Sequence, residues 1–144
     1  MTPQELKKAL SAAGFEVYRT LGDEVVLAER VRDNLIMDSG VRVRLAGGGR
    51  LEVRVVLAVR RGEFPGESDV ALTERVRALA ADLRANGFAE HSTQSSKVTD
   101  PTDPARTLDT FVEVTFHREA DGFDAIVAPI GHALAAAKTA DRER

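Results

Sequence analysis

At 144 residues, with 43% hydrophobic and 30% charged side chains and a net charge of −3, the chain has the composition of one ordinary globular domain. It contains no cysteine, which excludes disulfides, thiolate zinc sites, iron–sulfur ligation and a cysteine nucleophile. No apolar run reaches the ~18 residues that span a bilayer and "MTPQELKKALSAAGF" lacks the apolar centre of a secretory signal, so a cytoplasmic protein with no membrane partner is expected.

Thr2, Pro3 and Glu5 supply a capping box and a first-turn proline for a helix over 3–13, with Leu6, Ala9, Leu10 and Ala13 on one stripe. Gly14 stops that helix, and Phe15 sits where the stop favours an apolar contact. Alternation predicts strands at 15–20 and 24–32, joined as a hairpin. Within 33–40, Leu35, Ile36 and Met37 lie between turn formers. A short edge strand or a turn tucked against the core is expected there, with an exposed apolar loop as the competing alternative.

Residues 41–61, VRVRLAGGGRLEVRVVLAVRR, place arginine at alternate positions on two strands. Val41, Val43 and Leu45 share a face with Leu51, Val53, Val55, Leu57 and Val59 only if the loop between them is odd in length, because strand side chains alternate with period two. Gly47-Gly48-Gly49 supplies such a loop and predicts Ala46 opposite Arg50, Arg44 opposite Glu52 and Arg42 opposite Arg54. No helix follows and no GK[ST] is present, so these glycines do not make a phosphate loop.

Ser68 caps a helix over about 69–86 whose buried stripe is Leu72, Val76, Leu79, Ala80 and Leu83. It ends at Gly87-Phe88, repeating the Gly14-Phe15 device. Residues 88–97 make a poor, polar strand, and 97–109, with two Asp-Pro steps, read as a turn-rich mobile connection. A strand follows at 110–119, with Val112, Val114 and Phe116 on one face. Phe123, Ile126, Val127, Ile130 and Leu134 space a last helix, with a kink or break at Pro129 and Gly131. The sum is a single α+β domain over 1–138 and a frayed tail over 139–144. Its expected architecture is two-layered: an antiparallel sheet of about five to six strands, three helices mainly on one face, in the order α-β-β-β-β-α-β-β-α.

No spacing in the chain announces a reaction. His117 with Glu119, Asp121 and Asp124 is the most metal-like grouping, but helix capping accounts for the acids and no HxxxH or HExxH spacing supports a metal. The serines of 92–97 lack a GxSxG elbow, and no carboxylate pair stands out as an acid and a base. No catalytic residue, cofactor or metal ligand is assigned.

The arginines carry the functional expectation. If the aliphatic parity faces the helices, the opposite parity presents Arg42, Arg44, Arg54 and Arg60 with Glu52, Val56 and Ala58. The neighbouring hairpin adds Val26, Ala28, Arg30 and Arg32, with Tyr18 beyond. An apolar middle with an arginine and aromatic margin suits a protein interface, so Arg42, Arg44, Arg54, Val56, Ala58, Arg60 and Tyr18 form the expected partner-binding set. Size, acidity and the order of elements across most of the chain resemble the secretion-chaperone-like group, small acidic dimers that hold an extended segment of a partner. That resemblance is one of fold and transfers no site residue. It implies a non-catalytic, homodimeric adaptor or chaperone-like protein that binds a protein partner through an exposed sheet face or edge. Two other classes stay open. One is a small enzyme or ligand-binding domain with a pocket between the sheet and the C-terminal helix. The other is a regulatory nucleic-acid binder using the arginine face, which the negative net charge, the single Tyr and the lack of Trp disfavour.

Overall fold

The structure, a computed structural model, describes residues 1–142. The elements in chain order are α1 (Pro3–Ala12), β1 (Val17–Leu21), β2 (Glu24–Arg32), β3 (Leu35–Gly47), β4 (Arg50–Arg60), a 3₁₀ turn (Arg61–Glu63), α2 (Asp69–Leu79), α3 (Ala81–Ala85), β5 (Ala89–Asp100), β6 (Asp103–Ala120) and α4 (Phe123–Arg142). The six strands form one antiparallel sheet in the spatial order β1-β2-β3-β4-β6-β5. This is the expected two-layer α+β architecture in the expected element order. Among the described residues no helix is long and apolar enough to cross a membrane.

Local chemistry sets the helix ends. The Thr2 hydroxyl accepts from the Glu5 N–H and the Glu5 carboxylate accepts from the Thr2 N–H, both at 3.1 Å, completing the capping box of α1. The helix expected over 69–86 breaks at Ala80 (φ −92°, ψ 7°), whose N–H bonds back three residues to the Arg77 carbonyl. That tightening ends α2 and lets the five-residue α3 keep Leu83 in the core. By contrast α4 runs unbroken through Pro129, because Ile126, Ile130 and Ala133 are fully buried on either side of the missing N–H. It continues over 139–142, where a frayed tail was expected, with Ala140 packed in the core; residues 143–144 of that tail lie outside the described residues.

One face of the sheet is roofed. Val25, Leu27, Val41, Val43, Val53, Val55, Leu57, Val59, Val112, Val114 and Phe116 meet Leu6 and Leu10 of α1, Leu72 and Val76 of α2, Leu83 of α3 and Ile126 and Ile130 of α4. The β3–β4 turn keeps the expected pairs Arg44–Glu52 and Arg42–Arg54 but sets Gly47, not Ala46, opposite Arg50. Ala46 becomes a bulge, and Gly48 and Gly49 make a two-residue tip with φ of 61° and 78°, as two consecutive positive-φ positions allow.

Two segments are more regular than expected. Leu35–Met37, expected as a short edge strand or a turn tucked against the core, begins the 13-residue β3 and is exposed, as the alternative had it. Residues 97–109 are the ends of β5 and β6, paired as far as Asp100 opposite Asp103. The Asp-Pro steps mark the tip: Asp100 accepts from the Thr102 N–H and O–H, and Pro104 lies near the irregular end of the arm, where no central ladder bond is lost. β3 is paired with β4 only from Val41 onward, and β6 only from Phe111 onward. Both run antiparallel to β4: residues 103–110 with β5 extend past its end at Arg60, whereas residues 35–40 with β2 part from it beside Val56, and each pair makes a hairpin arm. Gly40, where β3 leaves β4, has φ 81°, and a Cβ there would stand 3.3 Å from the Val56 carbonyl oxygen.

Candidate partner-binding surface

The parity that avoids the helices forms rows across β3, β4 and β6: Arg44–Glu52–Glu119, Arg42–Arg54–His117, then Val56–Thr115, Ala58–Glu113 and Arg60–Phe111. None of these side chains belongs to the helix-covered core. Glu52 is the hub. Its carboxylate, only 6% exposed, accepts from Arg54 Nε at 2.5 Å and lies 2.9 Å from His117 Nδ1 and 3.7 Å from Arg44 Nε. Burial alone pushes the Glu52 carboxyl up, but the His117 hydrogen bond, the Arg54 hydrogen bond and charge, and the Arg44 charge together hold it below its ordinary value. Arg44 Nε is buried without a hydrogen-bond partner. The His91 ring lies 4.8 Å from that of His117.

Arg42 and Arg54 stand directly opposite each other, a like-charge pair that is unfavourable by itself. The face resolves it by giving them different acids: Arg54 has Glu52, and Arg42 has Glu24 at 3.7 Å and Asp38 at 3.6 Å. The structure therefore brings Arg42, Arg44 and Arg54 together clear of the helices, each already engaged by carboxylates of its own chain. Val56 lies in the next row, half-buried, and Ala58 is nearly closed off. Arg60 sits at the far end of β4 with Glu63 and Asp109, and Tyr18 projects from the bulge of β1, three strands from β4. In the neighbouring hairpin Val26 is fully buried, and Arg30 is held at 2.8 Å by Glu16. The metal-like grouping is dispersed. His117 is held by Glu52, Glu119 and Asp121 are held by Arg50, and among the described residues no group of three or more acids and histidines could hold an ion.

Sequence reasoning held the exposed apolar segment at Leu35–Met37 only as an alternative, and as a loop rather than a strand pair. Val31, Leu35, Ile36 and Met37 are exposed by 48%, 41%, 37% and 52% on the β2–β3 arm, and the register sets Ile36 opposite Arg30. Three consecutive apolar residues between turn formers were the available signal. At the base of this arm Ser39 donates to the Leu27 carbonyl and accepts from the Val41 N–H, pinning the point where β3 bends. The β5–β6 arm exposes Val98 and Leu108.

On the helix side, the end of β4, the Phe64 loop, α2, α3 and the end of α4 surround a cleft of about 370 Å³, lined by Val59, Phe64, Leu79, Asp82, Thr139 and Ala140 among others. The Arg75 guanidinium covers Phe64 at 3.9 Å and is fixed by two hydrogen bonds to Glu67.

No protein-family model matches the chain, and no curated protein matches it. Among solved structures it is similar to an uncharacterized protein from Methanothermobacter thermautotrophicus, at 14% identity and a TM-score of 0.53, covering 99% of this chain and 96% of that one. The likeness extends over the whole domain and concerns the fold.

Proposed function

We propose that the chain is a non-catalytic, dimeric binding protein of adaptor or chaperone-like type, which takes a protein partner on the open face of its sheet and the adjoining apolar arm. The observation that carries this reading is that Val31, Leu35, Ile36 and Met37, four large apolar side chains on one hairpin, are all more than a third exposed, with Ile36 on one face of the arm and Leu35 and Met37 on the other. An apolar arm exposed in this way next to an arginine-bearing face has the composition of a protein interface. The arginines serve that surface as oriented, charge-balanced groups. A nucleic acid would have to displace Glu52, Glu24 and Asp38 from them before phosphates gained anything, which favours a protein over a polyanion.

The test is capture of partners from the native host on the tagged chain, followed by binding measurements with the purified partner. Ile36→Asp with Met37→Asp weakens binding by about tenfold or more, equivalent to about 1.4 kcal/mol, while the fold stays intact by circular dichroism. Unchanged affinity removes the arm from the interface. A second reading, small-ligand binding, is favoured by the cleft beside Phe64 and Asp82 alone. It requires a compound that raises the melting temperature of the native chain but not of a variant in which Ala78, which also lines the cleft, is enlarged by Ala78→Phe.

A further inference from the structure

We infer that β5 is a self-pairing edge, at which two copies of this chain join their sheets antiparallel into one continuous twelve-stranded sheet. The sheet has two edges of unlike character. β1 is five residues long and bulged between Val17 and Arg19, so it offers almost no regular ladder. β5 is twelve residues long, and between its irregularities at Glu90/Ser92 and Val98/Thr99 it holds seven consecutive residues in regular register with β6, from Ser92 opposite Thr115 to Val98 opposite Asp109. A strand at the edge carries a row of backbone groups directed away from its only neighbour.

The side chains of this run point to a second copy as the occupant. A two-fold axis through Gln94 sets Ser92 opposite Ser96, Thr93 opposite Ser95 and Gln94 opposite itself, all uncharged. Farther out, Lys97 comes opposite His91 at the start of the Glu90/Ser92 irregularity, so no two fixed charges of like sign oppose one another along the regular run. The usual devices that blunt an edge, a proline or an inward charge, are absent from Ser92–Ser96, and the first lysine stands at its border. Residues 91–95 are all exposed, so nothing among the described residues covers that part of the run. This deepens the dimeric part of the proposed function and does not depend on the apolar arm.

Sedimentation or light scattering over a concentration series tests it, with paired charge variants. Thr93 and Ser95 pair with β6 residues Val114 and Val112, so charges placed there have no charged cross-strand partner in their own chain. The wild type is a dimer. Thr93→Lys with Ser95→Lys, and separately Thr93→Glu with Ser95→Glu, each raise the dimer dissociation constant by about tenfold or more, because like charges then face each other across the seam. An equimolar mixture of the two variants restores a dimer, which also shows that both are folded. A wild type that is monomeric up to its solubility limit overturns the inference, as does a dimer that both variants leave intact. Loss of partner binding in the arm variants with the dimer retained leaves it standing, so the two proposals fail separately.

Discussion

The two sides of β4 show opposite solutions to the same problem. On one side Val53, Val55, Leu57 and Val59 meet helices and lose their water to apolar neighbours. On the other, Glu52 and Arg54 lose most of theirs to one another, to Arg44 and to His117. The first face draws its stability from area removed from water and has no further valence. The second contributes little net energy, since part-buried ion pairs roughly offset their own desolvation, but it fixes guanidinium groups in register and leaves them reachable. A face built in that way suits recognition better than cohesion.

The sharpest break in this comparison is on the covered side. Phe116→Ala costs about 3–5 kcal/mol in urea unfolding, whereas Thr115→Ala, one residue along on the open side, stays within about 0.5 kcal/mol. Equal losses at the two positions would mean that the open face is a second core. Next comes the hub. Glu52→Gln costs about 1–3 kcal/mol at neutral pH, because Arg54 and His117 lose a charged acceptor. Glu52 has a lowered folded-state value, so its contribution is complete at pH above about 4.3 and is lost as the pH falls through the lowered value. The gap between wild type and Glu52→Gln therefore closes in acid, and a gap that widened there would reverse the assignment. The smallest effect on stability is on the arm. Met37→Ser changes the unfolding free energy by less than about 0.5 kcal/mol, since half of its surface already stands in water, and acts mainly on partner binding.

Much of the fold was legible because local signals agreed with global ones. Thr2 and Glu5 cap α1 as their spacing requires, and the period-two aliphatics of β3 and β4 fall on the core side. The irregularities were less visible. Two glycines suffice for the turn tip at 48–49, so the third enters the ladder and Ala46 bulges. Pro101 and Pro104 signalled a turn correctly but masked the strands flanking it, because an overhanging arm tolerates proline where a central strand does not. Of the site, the common face of Arg42, Arg44 and Arg54 followed from parity. The pairing of Arg44 with Glu52 followed from the hairpin as well, but the engagement of Arg42 by Glu24 and of Glu52 by His117 did not, since it depends on the long-range pairing of β2 with β3 and of β4 with β6. Tyr18 lies beyond them at the bulge of the edge strand β1, three strands from β4.

Hydrogen–deuterium exchange of the chain, with and without its captured partner, tests the central claim most directly. The account predicts new protection over 31–37 and over 42–44 and 54–58, with α2, α3 and the cleft beside Phe64 unchanged. Protection confined to α2, α3 and the end of α4, with the arginine rows and the apolar arm exchanging as before, would contradict it.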